Sequence, residues 1–366
     1  MKKIIIFILF SLSIFNLFKF WLANADRITR NFDAEYFSKL YSESQYVLGP
    51  KSVGGIGDDG LYAFAGYYYF FQKGDVSAVN FEHPPLGKYL IGASIFLFNN
   101  EIFINIFYFV LLLFLTYKIG RLYLDKYLAL IPVSILLIDP LFLDHTIRSQ
   151  LDLPFTFFFV AAVYFFVKSQ FSRQNLFISQ LFWSFAFSTR FFPFLLLLEV
   201  FMFIHIFYKS RKNLNAFIFS LLTIPSVYLL THISFFIYHP SLVEFLRHKK
   251  WMLAWFTGTP VKPGNILRNL LTGWLFDSSA NLIKNKEWST IQPITVFLSV
   301  LPISKNPVYG FLILYFFYTV FATGGQAKFI MPVYPLIAVL AVKNMRVIYS
   351  IILPWMRLKL QPSKVK

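Results

Sequence analysis

Apolar stretches close to membrane-spanning length recur along almost the whole chain, and one long polar segment, 26–88, interrupts them. A helix of about 20 apolar residues crosses a bilayer with every backbone polar group satisfied internally, so such a chain folds within lipid. Only 14% of the residues are charged and 57% are apolar, whereas soluble domains are about 25% charged. The 366 residues allow several spans and leave no room for a large soluble domain. The fold class read from this pattern is an all-α polytopic membrane protein, organised as a single transmembrane domain over 1–366.

The net charge of +17 could point to nucleic acid, but no basic amphipathic helix or nucleic-acid motif is present, so no nucleic-acid partner is expected. Basic excess in a polytopic chain reflects cytoplasmic loops facing anionic headgroups. Cysteine is absent, which excludes disulfides, iron–sulfur clusters and cysteine-ligated zinc. His83, His145, His205, His232, His239 and His248 lack metal-ligand spacing, so no cofactor is expected, and a divalent metal is admitted without being indicated.

Met1-Lys2-Lys3 precedes an apolar run over 4–23 that is longer than a typical signal sequence, and Ala23-Asn24-Ala25 is a weak cleavage match. The expectation is a retained first span with a cytoplasmic N-terminus. Leu86–Phe98 is apolar but too short for an ordinary span. If it lies in the interface, Lys118, Arg121 and Lys126 fall in the cytoplasm, as do Lys168, Arg173, Lys209, Arg211, Lys212, Lys305, Lys343 and Arg346. If it crosses, every one of these switches sides, so the interfacial reading wins. The expected spans are then 4–24, 102–119, 127–143, 152–168, 175–190, 192–208, 214–237, 290–303, 307–322, 328–342 and 346–357, eleven in all. The outer face, extracytoplasmic at the plasma membrane, carries a first loop over 25–101 and a second over 238–289. In the first loop, Phe32-Asp33-Ala34-Glu35-Tyr36-Phe37 and 61–71 read as short interfacial helices. No internal repeat is present.

Eight of the seventeen carboxylates lie between Asp26 and Glu82. Asp58 and Asp59, in Gly57-Asp58-Asp59-Gly60, suit a general base and an orienting neighbour. Read blandly, the same four residues are a turn. Glu82 precedes His83-Pro84-Pro85, and the two prolines fix where its carboxylate points. Outer cations are the exceptions in a positive-inside chain. Arg148, Arg190 and Lys328 each stand at the outer end of a span, where snorkelling is the bland reading and binding of a lipid-linked phosphate the functional one. The second outer loop adds Arg247, Lys249, Lys250, Lys262 and Arg268. Glu199, within a span, suggests a partner such as His232 or Tyr228.

Taken together, these segments resemble the protein O-mannosyltransferases and the related lipid A aminoarabinose transferases, membrane glycosyltransferases of the GT-C fold. The first outer loop of that family carries an acidic pair, here Asp58-Asp59 with Tyr62 following, then Glu82-His83-Pro84-Pro85-Leu86-Gly87-Lys88. An Arg-x-x-x-Asp signature matches Arg148-Ser149-Gln150-Leu151-Asp152. An Ala-x-Ser-x-Lys element matches Ala186-Phe187-Ser188-Thr189-Arg190, with Arg in place of Lys, and the late basic–aromatic–Pro element matches 328–335. The second acidic residue is Asp rather than Glu, and the second outer loop is too short for the MIR domain of the eukaryotic enzymes.

The resemblance implies an inverting transfer of a hexose, mannose in the first instance, from a polyprenyl- or dolichyl-phosphate donor to an acceptor hydroxyl on a protein or glycolipid. Asp58 would be the base, with Asp59 and Glu82 beside it in the catalytic group. A carboxylate is a weak base for an alcohol, so stabilising the departing phosphate, through Arg148, Arg190, Lys328 and Lys88, should carry much of the rate. His83, Tyr62 and Asp152 would position the substrates. A lipid or solute transporter, the reading from another class, predicts charges within the spans and internal repeats, and the sequence offers neither in strength.

Overall fold

The first helix, Lys2–Ala23, turns bare apolar side chains such as Phe15 and Leu22 outward. Such a face kept wet would forfeit about 25 cal/mol per Å² of apolar surface, so it is a lipid-facing surface. The computed structural model describes residues 2–168, 172–258, 260–301 and 307–359, with side chains from 3 to 350 within those ranges. Four helical segments among them are long and apolar enough to cross a membrane: Lys3–Ala23, Phe103–Tyr123, Arg211–Thr231 and Met331–Ser350. Only 11% of the first and third is buried, against 72% of the last, which puts that segment at the centre of the molecule.

The eleven expected spans are not reproduced as counted. The two placed at 328–342 and 346–357 form one helix, Tyr334–Lys359, entered through the short 3-10 turns Ala327–Phe329 and Met331–Val333. Asn344 is fully buried, and its amide donates to the carbonyls of Leu298 (2.8 Å) and Leu301 (3.0 Å), closing the end of the helix Ile291–Ser299. Helix is described for only those nine residues of the span expected at 290–303, and Lys305 lies outside the described residues. The span at 214–237 is divided into Leu214–Ser220, Thr223–Thr231 and Ile233–Tyr238. Ser220 and Thr231 bond back to carbonyls three residues earlier, a local competition that loosens a helix at its ends.

The core is aromatic. Asp152–Lys168 lies along Arg173–Thr189, with Phe159 5.5 Å from Trp183 and 5.8 Å from Tyr315 of the helix Pro307–Ala322. Glu199 is buried on the neighbouring helix Phe194–Lys209, and its partner is Gln180, whose amide donates to Oε2 at 3.1 Å, rather than His232 or Tyr228.

The segment 25–101, the expected first outer loop, folds over one end of this bundle. Asp33 caps the helix Ala34–Ser42 by accepting the amide of Tyr36, and Asp58–Phe70 forms where a helix over 61–71 is expected. Leu86–Phe98 has 13 residues, a length of roughly 20 Å against a hydrocarbon core of about 30 Å. It crosses Asp58–Phe70 at two glycines, where a Cβ on Gly92 would stand 2.5 Å from the carbonyl oxygen of Gly66. It ends at Asn99, left-handed with φ 49°. The second outer loop contributes the helices Leu242–Thr257 and Asn265–Thr272 and a small hairpin pairing Trp274–Phe276 with Leu282–Lys284 in an otherwise helical fold. Asp277 fixes that hairpin's turn by accepting the amide of Asn281 at 2.8 Å.

Candidate active site

Asp58 and Asp59 open a helix capped by Gly57, so both carboxylates stand at its positive end. They diverge from there. Asp58 Oδ2 accepts Lys328 Nζ at 2.7 Å, which joins the first outer loop to the entrance of the central helix across 270 residues of sequence. Asp59 faces the other way, 3.5 Å from Arg27, with one oxygen on the amide of Gly60 and its carbonyl on Ser149 Oγ at 2.6 Å. A cavity of about 110 Å³ opens beside Asp59, lined by Arg27, Arg30 and Arg148 among others.

Arg190 closes the helix Arg173–Thr189 and pairs with Asp152, the first residue of its neighbour, both almost wholly buried. Its guanidinium also sits 5.4 Å from the ring of Phe329. Asp152 is therefore engaged in holding Arg190, and the positioning expected of it acts through that arginine. Arg148 Nε lies 2.7 Å from Asp144 Oδ2, and the Arg148 carbonyl accepts the amide of Asn105. Arg148, Arg190 and Lys328 line one cavity of about 1320 Å³ together with His83 and Phe256. The three cations at separate span ends are thus brought to one space.

Lys88 is not. It is fully buried, and its ammonium donates to the Asn80 carbonyl (2.6 Å), Asn80 Oδ1 (3.0 Å) and the His83 carbonyl (2.7 Å). Three acceptors exhaust its three donors, so the phosphate contact expected of Lys88 gives way to a tie that shapes the 80–83 turn. Asn80 adopts φ 48° within that turn. Burial lowers the Lys88 ammonium to about 7, against the pull of Glu82. Burial likewise raises the Glu82 carboxyl, whose Oε2 has no hydrogen-bond partner. His83, tethered by the same turn, meets Tyr62 edge-on at 6.1 Å and Phe256 at 5.7 Å. Removal from water, then the charges of Arg190, Lys88 and Lys328, push its imidazole well below the usual range, so His83 is neutral. Burial raises the Tyr62 hydroxyl, with Asp58 adding to the effect.

The sequence reading missed several participants. Arg27 was ordinary basic punctuation until it met Asp59. Asp144 and His145 directly precede the Arg148 signature and reach the same cavity, as does Glu287 of the second outer loop. Those three are the described residues grouped closely enough to hold a metal ion. A carboxylate and histidine ending an apolar run was the available signal for the first two, while nothing local marks Glu287. Lys249 turns inward, 2.8 Å from His232 Nε2, and burial lowers it to about 7.

Residues 82–238 match the family model described as dolichyl-phosphate-mannose-protein mannosyltransferase, a segment that includes Glu82, His83, Arg148, Asp152 and Arg190 but neither Asp58 nor Lys328. No curated protein matches the chain. Among solved structures, ArnT from Cupriavidus metallidurans bound to undecaprenyl phosphate is similar with a TM-score of 0.60 at 15% identity, over 80% of this chain and 56% of that one. The same protein in its apo state gives 0.58 at 14% identity, over 80% and 55%. The chain thus spans just over half the length of these structures. It is an integral membrane protein of the GT-C fold, similar to the mannosyltransferase family over residues 82–238 and to the ArnT structures in architecture.

Proposed function

We propose that the protein transfers a sugar, with inversion, from a polyprenyl-phosphate donor to an acceptor hydroxyl at the extracytoplasmic face of the plasma membrane. The observation that carries this reading is the Asp58–Lys328 contact at the edge of a cavity that also gathers Arg148 and Arg190. The acceptor oxygen attacks the anomeric carbon as its proton passes to Asp58. The bond from that carbon to the phosphate oxygen breaks, and the phosphate leaves with the electron pair. Charge builds on the phosphate in the transition state, where Arg190, locked by Asp152, needs no reorganisation to meet it. Arg148 and Lys328 supply the remaining positive charge. Neutral His83 with Tyr62 forms an uncharged wall suited to the sugar.

The undecaprenyl phosphate named with the ArnT structure supports a polyprenyl donor, and the description of the matched family supports mannose and a protein hydroxyl. A second reading keeps the chemistry and gives it a glycolipid acceptor bearing an anionic group. The small cavity of three arginines beside Asp59 favours it. The test is sugar transfer by the purified full chain from polyprenyl-phosphate-mannose to a hydroxylated peptide or to an anionic glycolipid, each against Asp58→Asn. Transfer undiminished in that variant would remove Asp58 as the base, and the acceptor that is glycosylated decides between the two readings.

A further inference from the structure

His145 is buried to 1% exposure, and its ring is fixed by a bond from Nδ1 to the Leu141 carbonyl at 2.8 Å. A carbonyl only accepts, so Nδ1–H donates and Nε2 is the ring nitrogen turned to the far side. Nε2 has no hydrogen-bond partner. It points instead into a nest of carboxylates: Asp152 Oδ2 is 3.9 Å away, and one ligand atom each from Asp144, His145 and Glu287 lie within 4.8 Å of one another. A buried ring nitrogen left without a hydrogen-bond partner among carboxylates calls for a bound species there.

The surrounding framework is built to hold these groups. Asp139 starts the helix Pro140–Thr146 by accepting the amide of Leu141 at 3.0 Å, and thereby places Asp144 and His145. Glu287 arrives from the second outer loop, its amide on Asn285 Oδ1 at 2.9 Å. Gln292 joins the two sides, its Nε2 donating at 3.0 Å both to Asp139 Oδ1 and to the Glu287 carbonyl. Arg148 braces Asp144 from outside and leaves lone pairs on that carboxylate for another partner. Nδ1 on a carbonyl, a carboxylate held by arginine and a loop pinned by an amide are the outer-shell partners that orient metal ligands.

We infer that Asp144, His145 and Glu287 bind one divalent transition ion, Zn²⁺ or Mn²⁺. One imidazole nitrogen with two carboxylates suits those ions, whereas Mg²⁺ favours all-oxygen sites. Ligands about 2.0–2.2 Å from one ion need only roughly 1 Å of side-chain closure from the present spread. The charge also fits. Arg148 pairs with Asp144 and Arg190 with Asp152, which leaves Glu287 as the carboxylate of the cluster that neither arginine pairs with. All three ligands line the large cavity beside Arg148 and Arg190, so the ion's open position faces the space assigned to the donor phosphate. The site rests on its own ligands, and only the phosphate at its open position rests on the glycosyl-transfer reading.

The test uses the full chain in detergent, stripped with chelator and titrated with Mn²⁺ while free ion is followed by paramagnetic resonance, with Zn²⁺ as competitor. Wild type should bind about one ion per chain, and Glu287→Gln and Asp144→Asn should each weaken binding by about tenfold or more. Both variants should keep the wild-type melting temperature in chelator, while the rise produced by Mn²⁺ disappears. Wild type without a stoichiometric ion, or both variants binding as tightly as wild type, overturns the site. Ion binding without sugar transfer leaves the site standing and removes the proposed reaction instead.

Discussion

Lys328 Nζ stands 2.7 Å from Asp58 Oδ2, and the two residues come from opposite ends of the chain. The contact holds the proposed base at the rim of the large cavity and, in the proposed reaction, would give Lys328 two alternating partners, the carboxylate and the departing phosphate. Asp58→Asn should lower transfer by about 10²- to 10⁴-fold, the usual worth of a general base. Lys328→Met should lower it too, with a larger effect on donor dependence. Single-turnover transfer at saturating and limiting donor separates the two. Equal loss at both donor concentrations in Lys328→Met would confine that lysine to holding Asp58.

Two arginines that look alike in sequence should part company on substitution. Arg190 and Asp152 are both buried, and removing one member of a buried pair strands the other. Asp152→Asn should therefore destabilise the protein by about 3–5 kcal/mol. Arg148 and Asp144 are partly exposed, where a pair contributes about 0–1 kcal/mol. Arg148→Ala should melt near wild type while its half-saturating donor concentration rises. Thermal unfolding and donor titration of both variants check the contrast.

The placement of these residues shows what was legible in the sequence. Hydropathy and basic clusters exposed the helical membrane fold, because lipid dictates composition along each span. Arg148, Arg190 and Lys328 were legible as cations on the wrong side of a charge rule. Lys88 obeyed the same logic but turned inward, since a lysine stem is long enough to reach either a phosphate or a turn carbonyl. Nothing local marks Asn344, because its partners, the carbonyls of Leu298 and Leu301, lie over 40 residues away. Glu287 was silent for the same reason. Its neighbours Asp144 and His145 belong to another loop, and no local pattern encodes that meeting.

The glycine crossing should be intolerant of a single methyl group. A Cβ at Gly92 would lie 2.5 Å from both the Gly66 carbonyl oxygen and Phe70 Cβ, so helix must move away from helix. Gly92→Ala should cost about 1–3 kcal/mol of stability. Because Leu86–Phe98 carries Lys88 and, through it, the 80–83 turn, transfer should fall along with the melting temperature. A variant with wild-type melting would show that the two helices separate freely.

His83 sets an acid limit on stability that can be read by difference. Its folded value lies well below the ordinary 6.5, so below about pH 6.5 the unfolded chain takes up a proton that the folded chain refuses. Its contribution is fully present above that pH and is lost as the pH falls. Glu82 acts in the opposite sense, because its raised value makes the folded state bind the extra proton in the window just above the usual carboxylate range. His248, lowered to about 4 by burial and then by Lys249, adds to the His83 effect. Replacing His83 with Gln leaves Glu82 and His248 in place, so the wild-type-minus-variant melting difference should hold level above about pH 6.5 and shrink from there to pH 5.0. The slope should correspond to about one proton. A difference independent of pH would mean that His83 titrates alike in the folded and unfolded chain, and would overturn its lowered value.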